Sequence, residues 1–259
     1  MRIGIDFRLL SGGALTVHRG MGRYSRQQLR EVLRLSSHHP AHDYVLLCRE
    51  DAEISALPPE AFAPNVSIAW LPPLASARRT WERPDVSGTV LRLTEELQAV
   101  IDEQRVDVFH LTTPCDLDDF IPFALDGPLV ANQYDLIPAV YPGHYYQEPE
   151  RRALYDRALR TVRNADRLVA ISRHSAREAT AFLGVPSNRI HVAYPIADPC
   201  FRPLPEAERE RILAPLRERT DLPGGFFLSV SHLHHAKNLR GLFDAWRLLP
   251  SAVRQELPL

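Results

Sequence analysis

The sequence has little cysteine and no long apolar run, and each of these shortages excludes a class of protein. Its three cysteines, Cys48, Cys115 and Cys200, lie far apart and form no CxxC pair, so neither a disulfide framework nor a zinc site is expected. No apolar stretch approaches the roughly eighteen residues of a membrane span, and no basic, apolar leader precedes the first strand pattern. The sequence therefore predicts a cytoplasmic protein.

The charges of the chain nearly cancel, with 31 basic and 32 acidic residues among 259. Without a strong positive field a protein cannot hold a nucleic-acid backbone by counterion release, so nucleic acid is not expected as a partner. Lys237 is the single lysine of the chain. Its compact charge suits a phosphate site at a helix start, although a single residue is also compatible with chance.

Short β-rich runs alternate with helical patterns along most of the chain. Several runs are apolar without polar alternation, which is typical of strands covered on both faces of a parallel sheet. This alternation predicts βαβ crossovers and therefore an α/β protein with a Rossmann-like parallel sheet. The predicted strands are residues 3–7, 44–48, 66–71, 106–111, 129–133, 168–171, 190–194 and 226–230. The predicted helices are residues 23–35, 88–104, 149–163, 176–183, 206–219 and 238–248.

A proline-rich stretch separates a large first domain from a short second one. Four prolines between positions 195 and 205 disfavour both helix and central strand. We therefore expect a complete Rossmann-like domain over residues 1–195, a connection over 196–222, and an incomplete second Rossmann-like domain over 223–259. The last of these holds one predicted strand and one predicted helix.

The helix at 176–183 carries signals for both of its ends. Ser172 and Ser175 are alternative N-cap residues, and Glu178 stands at the spacing of a capping box with Ser175. Gly184 follows the helix, where a glycine in the left-handed conformation commonly ends one.

The turn after the first predicted strand, residues 10–22, is rich in glycine and opens a helix. Glycine lets backbone amides approach a ligand closely, and phosphates commonly bind at this turn of a Rossmann-like sheet. The turn has no GxGxxG and is long for a dinucleotide fingerprint, so a nicotinamide enzyme is a weak alternative. A surface loop with turn glycines is the other interpretation. The glycines are Gly12, Gly13, Gly20 and Gly22.

Polar residues stand at the ends of two further predicted strands. His110 and Thr112, two positions apart at the end of the predicted strand 106–111, are expected on the same face. Asp135 follows the predicted strand 129–133. The carboxyl ends of parallel strands line the ligand crevice, so all three are candidate site residues. Each has a structural alternative: His110 as a core histidine, either His110 or Thr112 as the support of the other, and Asp135 as the cap of a local turn.

The loop over residues 231–238 joins the last predicted strand to a helix. It brings histidines and Lys237 to the helix start, where backbone amides and the helix dipole favour an anion such as a diphosphate. A metal site is the alternative, but the histidines lack helical i, i+4 spacing and an acidic partner. The polar residues of this loop are His232, His234, His235, Lys237 and Asn238.

Five segments resemble, in order, motifs of the family 4 retaining glycosyltransferases, and together they extend over nearly the whole chain. They are Gly20-Met21-Gly22-Arg23-Tyr24, similar to a glycine loop and helix start; residues 107–114, similar to a strand leading to the cleft; Tyr134-Asp135-Leu136-Ile137-Pro138, similar to an HDLIP segment; residues 165–203, similar to a run with AD, LGVP and F-x-P elements; and residues 227–238, similar to a phosphate loop ending in KN.

The resemblance implies the GT-B fold, with residues 1–195 as the acceptor-side domain and 223–259 as the start of the donor-side domain. It also implies retaining transfer of a hexosyl unit, with mannose a candidate, from a GDP- or UDP-hexose to a glycan or lipid-linked acceptor, without a metal or other cofactor. The implied catalytic residues are His110, Thr112 and Asp135. The implied donor-phosphate residues are Gly20, Gly22, His232, Lys237 and Asn238. The implied acceptor residues are Tyr24, Tyr134 and Ser172.

The sequence also departs from the family pattern. Thr112 replaces a second histidine, Tyr134 replaces the histidine of HDL, and Ser231 replaces a glycine of the phosphate loop. The resemblance places the acidic E-x7-E element, which the family uses on its donor sugar and nucleotide, in a donor-side region that these 259 residues do not contain. Two functions therefore stay open: a glycosyltransferase, and a truncated, inactive acceptor-binding domain that works with a separate donor domain.

The first predicted helix has a basic exposed face. A solvated helix face explains it, and so does peripheral contact with anionic lipid at the inner face of the membrane. The residues are Arg23, Arg26, Arg30 and Arg34.

Overall fold

The computed structural model describes two compact units of the chain, Met1–Ile196 and Ala197–Leu259. The division falls in the proline-rich stretch. The described residues are 1–12, 18, 20–38, 42–73, 84–115, 122, 124–197, 201–220, 225–231, 233 and 235–259.

The first unit contains a seven-stranded sheet in which every strand runs parallel to its neighbours. The strand order is β3-β2-β1-β4-β5-β6-β7. In this Rossmann order the chain reverses direction across the sheet between β1 and β4, where α/β proteins bind their ligands. The predicted α/β class and Rossmann-like parallel sheet are confirmed. The strands are β1 Arg2–Asp6, β2 Asp43–Arg49, β3 Val66–Leu71, β4 Val108–Leu111, β5 Leu129–Gln133, β6 Arg167–Ala170 and β7 Ile190–Val192.

Helices follow the strands, as the sequence pattern predicts. In the described residues of the first unit they are α1 Gly20–His38, α2 Val86–Glu103, the single turn α3 Ile137–Val140, α4 Pro149–Asn164 and α5 Arg173–Leu183. In the second unit they are α6 Glu206–Thr220, α7 Leu239–Arg247 and α8 Ser251–Glu256. None of these helices combines the length and the apolar character that crossing a bilayer requires.

Apolar layers cover both faces of the sheet. Leu46 of β2 packs in a cluster with Leu29 of α1, whereas its neighbour Leu47 packs in the opposite cluster with Leu97 of α2. Successive strand residues point to opposite faces, so a strand covered twice must be apolar at every position. This burial on both faces explains why the sequence of β2 is continuously apolar over residues 44–48.

The ends of α5 are set by two residues. Ser172 is the N-cap, and its Oγ accepts a hydrogen bond of 3.0 Å from the backbone N–H of Ser175. The capping-box interpretation of Ser175 and Glu178 is wrong, because Ser175 lies inside the first turn that Ser172 caps. Gly184 ends the helix with φ 68°, as predicted, and its N–H donates to the carbonyl of Thr180.

The second unit differs from the sequence prediction in one element. Its predicted helices are present as α6 and α7, but residues 226–230 form no strand. The N–H of Phe227 donates to the carbonyl of Pro258 at 2.8 Å. A strand needs a ladder of hydrogen bonds to a neighbour, and the described part of this unit contains no such neighbour. Apolar β-rich composition alone therefore gave the wrong prediction.

Candidate functional site

Polar side chains meet at the carboxyl ends of β1, β4 and β5, three adjacent strands at the reversal point of the sheet. Because parallel strands end at one common edge, residues far apart in the sequence become neighbours there. The edge carries Asp6 from β1, His110 and Thr112 from β4, and Asn132 and Tyr134 from β5.

Asn132 is the centre of this polar network and is fully buried. Its Nδ2 donates to the carbonyl of Thr112 at 2.9 Å and to Oε1 of Gln28 at 3.0 Å. A backbone carbonyl can only accept, so this contact fixes which end of the amide carries nitrogen. Oδ1 therefore faces Nε2 of His110 at 3.0 Å, and it also accepts from Nε2 of Gln28 at 3.3 Å.

The fixed amide determines the tautomer of His110. Since Oδ1 of Asn132 only accepts, the Nε2 atom of a neutral His110 must carry the hydrogen, and Nδ1 is left as a hydrogen-bond acceptor. Burial lowers the pKa of His110, against the opposing effects of the Asn132 hydrogen bond and the charge of Asp6. The half-buried imidazole is therefore neutral near pH 7.

Thr112 ties β4 to β1. Its Oγ1 donates to the carbonyl of Asp6 at 2.6 Å, and the residue is only 1% exposed. The side chain thus fixes the chain just after the strand that carries His110. A direct catalytic role for Thr112 stays a prediction.

A buried ion pair lies beside this network and was not among the sequence-predicted site residues. Arg8 holds Asp6 through Nε to Oδ1 at 2.7 Å and Nη2 to Oδ2 at 2.9 Å. The backbone N–H of Arg8 also donates to Oδ1 at 3.2 Å, and both residues are almost fully buried. The pair fixes the start of the glycine-rich turn. The Asp-x-Arg spacing directly after the first strand was the signal that could have revealed it.

Two tyrosines connect α1 to the strand ends. The hydroxyl of Tyr134 donates to the carbonyl of Thr112 at 2.8 Å and therefore accepts from Oγ of Ser25 at 3.1 Å. Tyr24 packs edge-on against Tyr134, with 5.7 Å between ring centroids, and donates to the carbonyl of Ala193 at 2.9 Å. Burial raises the pKa of Tyr24 to about 12, so its phenol stays neutral. The acceptor-binding role of both tyrosines stays a prediction.

Gly20 and Gly22 lie in the first turn of α1. Gly20 is exposed, and a Cβ added to it would have no heavy atom within 4 Å. Gly13 lies outside the described residues. Phosphate binding by Gly20 and Gly22 stays a prediction.

Asp135 and Ser172 both make local hydrogen bonds. Oδ1 of the exposed Asp135 accepts from the backbone N–H of Ile137 at 3.0 Å, which is the turn-capping alternative that the sequence left open. Ser172 is the N-cap of α5, and its Oγ lies 3.1 Å from Oγ of Ser175. The use of Asp135 in catalysis stays a prediction.

Charge on the exposed face of α1 is partly compensated within the helix. Glu31 lies 2.8 Å from Nε of Arg34 and 3.4 Å from Nε of Arg30. The hydrogen bond from Arg34 is the main reason why the pKa of Glu31 is lowered. These pairs are typical of a solvated helix face, and contact with lipid stays a prediction.

The second unit places Lys237 directly before α7. Lys237 ends a 3₁₀ turn that begins at His235, and both side chains are exposed. Asn238 has φ 47° and caps α7, since its Oδ1 accepts from the backbone N–H of Gly241 at 3.2 Å. His232 and His234 lie outside the described residues. Across the residues that are described, no three potential metal ligands cluster together.

Comparison of the sequence with protein family models identifies the family of the chain. The sequence model of Glycosyltransferase Family 4 matches residues 19–200. The chain belongs to glycosyltransferase family 4. The matched residues cover almost all of the first unit from α1 onward, including the network around His110.

Relatives of this family 4 chain include a curated enzyme and solved structures. The serotype-specific mannosyltransferase WbdA of Escherichia coli is 29% identical over 126 residues, which are 49% of this chain and 15% of that protein. The structure of Anabaena Alr3699/HepE in complex with UDP-glucose has a TM-score of 0.52 and 14% identity, over 99% of this chain and 59% of that one. Its complex with UDP and glucose gives a TM-score of 0.51 and 15% identity, over 96% and 59% of the two chains.

These relatives are longer than the family 4 chain described above. The chain spans about 15% of the length of WbdA and 59% of the length of HepE. The structural similarity shows that this chain shares the fold of a GT-B glycosyltransferase, as the sequence resemblance implied. The family assignment itself is confirmed.

Proposed function

We propose that this chain provides the acceptor-side domain and Lys237 of a retaining glycosyltransferase. The enzyme transfers a hexosyl unit, with mannose the first candidate, from a nucleotide sugar to a glycan or lipid-linked acceptor. The observation that carries the proposal is the contact of His110 Nε2 with Oδ1 of Asn132 at the reversal point of a family 4 sheet, and burial, which lowers the pKa of His110, supports it. A similar protein is a mannosyltransferase, and a similar structure holds UDP-glucose, which supports both parts of the proposal.

His110 is suited to bind a sugar hydroxyl. In the tautomer that Asn132 imposes, Nδ1 accepts a hydrogen bond, and no proton has to leave the ring first. The network holds the ring before substrate arrives, so orientation costs little at the moment of reaction. His110 therefore positions the reacting sugar, while the exposed carboxylate of Asp135 orients a hydroxyl of the acceptor.

Lys237 is suited to stabilise the negative charge that the reaction creates on the leaving group. As the glycosidic bond of the donor breaks, negative charge grows on the departing diphosphate, and groups that stabilise this charge lower the barrier. The ammonium of Lys237 and the backbone amides at the start of α7 are groups of that kind. In this proposal they do the work without a metal ion.

The test is a transfer assay on the intact protein that contains this chain. GDP-mannose and UDP-glucose are offered with glycan and lipid-linked acceptors, and the anomeric configuration of the product is read by NMR. We expect His110→Asn and Lys237→Ala each to lower kcat by about 10²- to 10³-fold. His174→Asn is the matched control, because this histidine of α5 is 71% exposed.

Two outcomes would overturn the proposal. One is the absence of transfer from every nucleotide sugar. The other is a His110→Asn enzyme that turns over as fast as the His174→Asn control. An inverted product would remove retention alone.

An acceptor-binding domain without its own activity is the second candidate. It is favoured by the position of the family match, which lies almost wholly inside the compact first unit. In that case the chain binds a glycan acceptor in the absence of donor and supports transfer only together with a separate donor domain. Isothermal titration with glycan and with nucleotide sugar separates the two candidates.

A further inference from the structure

Three tyrosine rings pack one on the next and are called the tyrosine row: Tyr145 and Tyr146 from the segment between α3 and α4, and Tyr155 from α4. The ring of Tyr146 lies 4.6 Å from that of Tyr155, centroid to centroid, with 32° between their planes. The ring of Tyr145 lies 6.3 Å from that of Tyr146, at 53°. Tyr155 is buried in α4, whereas Tyr145 and Tyr146 are half-buried. The row therefore runs from the core of the first unit to its surface.

Tyr146 adopts a backbone conformation that a bulky residue rarely takes. Its φ is 54°, in the left-handed region. Such strain persists only where the surroundings impose it, and strained residues cluster at functional sites. Here the ring packs on Tyr155, and the guanidinium carbon of Arg151 lies 5.3 Å from the ring centroid. These contacts hold Tyr146 in place and thereby fix the position of Tyr145 next to it.

The tyrosine row adjoins the edge of the sheet that carries His110. Cys115, three residues after Thr112, packs in one apolar cluster with Tyr146 and Tyr155. Asp135, two residues after the end of β5, is close enough for its charge to act with burial in raising the pKa of Tyr145. The segments that follow β4 and β5 are thus each linked to the tyrosine row, one by packing and the other by charge.

Tyr145 and Asp135 together offer the two chemical features that recognise a sugar ring. One face of a pyranose presents C–H groups, which pack on an aromatic ring, while its hydroxyls donate to carboxylate oxygens. The exposed Asp135 supplies such oxygens, and its charge acts on the pKa of Tyr145. Its negative charge also disfavours an anionic diphosphate at this place.

We propose that Tyr145, supported by Tyr146 and Tyr155, stacks against a pyranose ring of the acceptor, so that the acceptor is a glycan. This inference rests on the proposed function and specifies its acceptor. It assigns to Tyr145 the binding of a sugar ring that does not react, and to Asp135 a hydroxyl of the same acceptor.

The kinetic test uses three variants of the intact protein. Tyr145→Ala removes the ring, whereas Tyr145→Phe keeps it and removes only the hydroxyl. We expect Tyr145→Ala to raise the KM for a glycan acceptor such as α-linked mannotriose about 10-fold, with the KM for the donor unchanged, and Tyr145→Phe to stay within about 2-fold of wild type. Phe182→Ala is the control, since Phe182 is a 60% exposed ring near the end of α5.

A second measurement needs no variant. When α-linked mannotriose is titrated into the wild-type protein, the ring proton resonances of Tyr145 should shift, while those of Phe182 should not. Unshifted Tyr145 resonances at a saturating acceptor concentration would overturn the inference, and so would an unchanged acceptor KM in Tyr145→Ala.

The kinetic results also separate this inference from the proposed function. If the wild-type protein transfers no sugar, the proposed function fails. If it transfers sugar and His110→Asn is slow, but Tyr145→Ala has a wild-type acceptor KM, only the assignment of Tyr145 fails.

Discussion

Replacing Asn132 with leucine should destabilise the fold measurably, because this amide organises the buried network. Leucine has the same branched arrangement of side-chain heavy atoms as asparagine, so the change removes the hydrogen bonds and leaves no cavity. The carbonyl of Thr112 keeps the hydroxyl of Tyr134 at 2.8 Å, and the half-buried Gln28 can turn to water. Nε2–H of His110 is the group that loses its partner.

The expected size follows from these partners. One orphaned buried donor costs about 1–3 kcal/mol, and the lost hydrogen bonds add about 1 kcal/mol in net terms. Asn132→Leu should therefore lower the free energy of unfolding by about 2–4 kcal/mol. Asn65→Leu is the matched comparison, since the half-buried Asn65 donates a single bond of 3.2 Å to the carbonyl of His42. That variant should lose only about 0.5–1.5 kcal/mol.

The assay is urea unfolding of the chain near pH 7.5, followed by far-ultraviolet circular dichroism. The difference between the two variants is more informative than either value alone, since both replace an asparagine with leucine. If Asn132→Leu loses no more stability than Asn65→Leu, then Asn132 does not hold the network together, and the tautomer assigned to His110 loses its basis.

Three further predictions concern the same unit. Asp6→Asn should cost about 3–5 kcal/mol in urea unfolding, because it leaves Arg8 buried without its carboxylate; a loss below about 1 kcal/mol would show that the pair is not important for stability. Since burial lowers the pKa of His110, the unfolded imidazole binds a proton first on acidification, so stability should fall as the pH drops below about 6.5. A His110→Asn chain should show a weaker fall over that range, and an equal fall would exclude His110 as its source. Gly184→Ala should lower the free energy of unfolding by about 1 kcal/mol or more because φ is 68°, whereas Gly20→Ala, with open space around it, should be close to neutral; equal losses would contradict the left-handed cap.

Sequence patterns predicted the elements of the first unit well, for a physical reason. A strand such as β2 is buried on both faces, so its composition records its surroundings directly. The end of α5 was equally accessible, because Gly184 reports a local backbone conformation. Features of this kind depend on residues that are close together in the chain.

The partners within the site could not be predicted in the same way. Gln28 and Asn132 form a reciprocal amide pair although they are 104 residues apart, and no local pattern specifies that contact. Residues 226–230 show the converse error, since their composition favours a strand but strand formation depends on a neighbour. Asp6 and Arg8 are a third case, in which a local signal was present and was not used.

The state of the His110 imidazole tests the account of the site most directly. Nitrogen-15 NMR of the histidine rings, recorded between about pH 5 and pH 8, reports both the tautomer and the pKa. The network predicts a neutral ring near pH 7 with its hydrogen on Nε2, and a titration midpoint below the ordinary value of about 6.5. A hydrogen on Nδ1, or a midpoint at or above that value, would contradict the arrangement on which the proposed role of His110 rests.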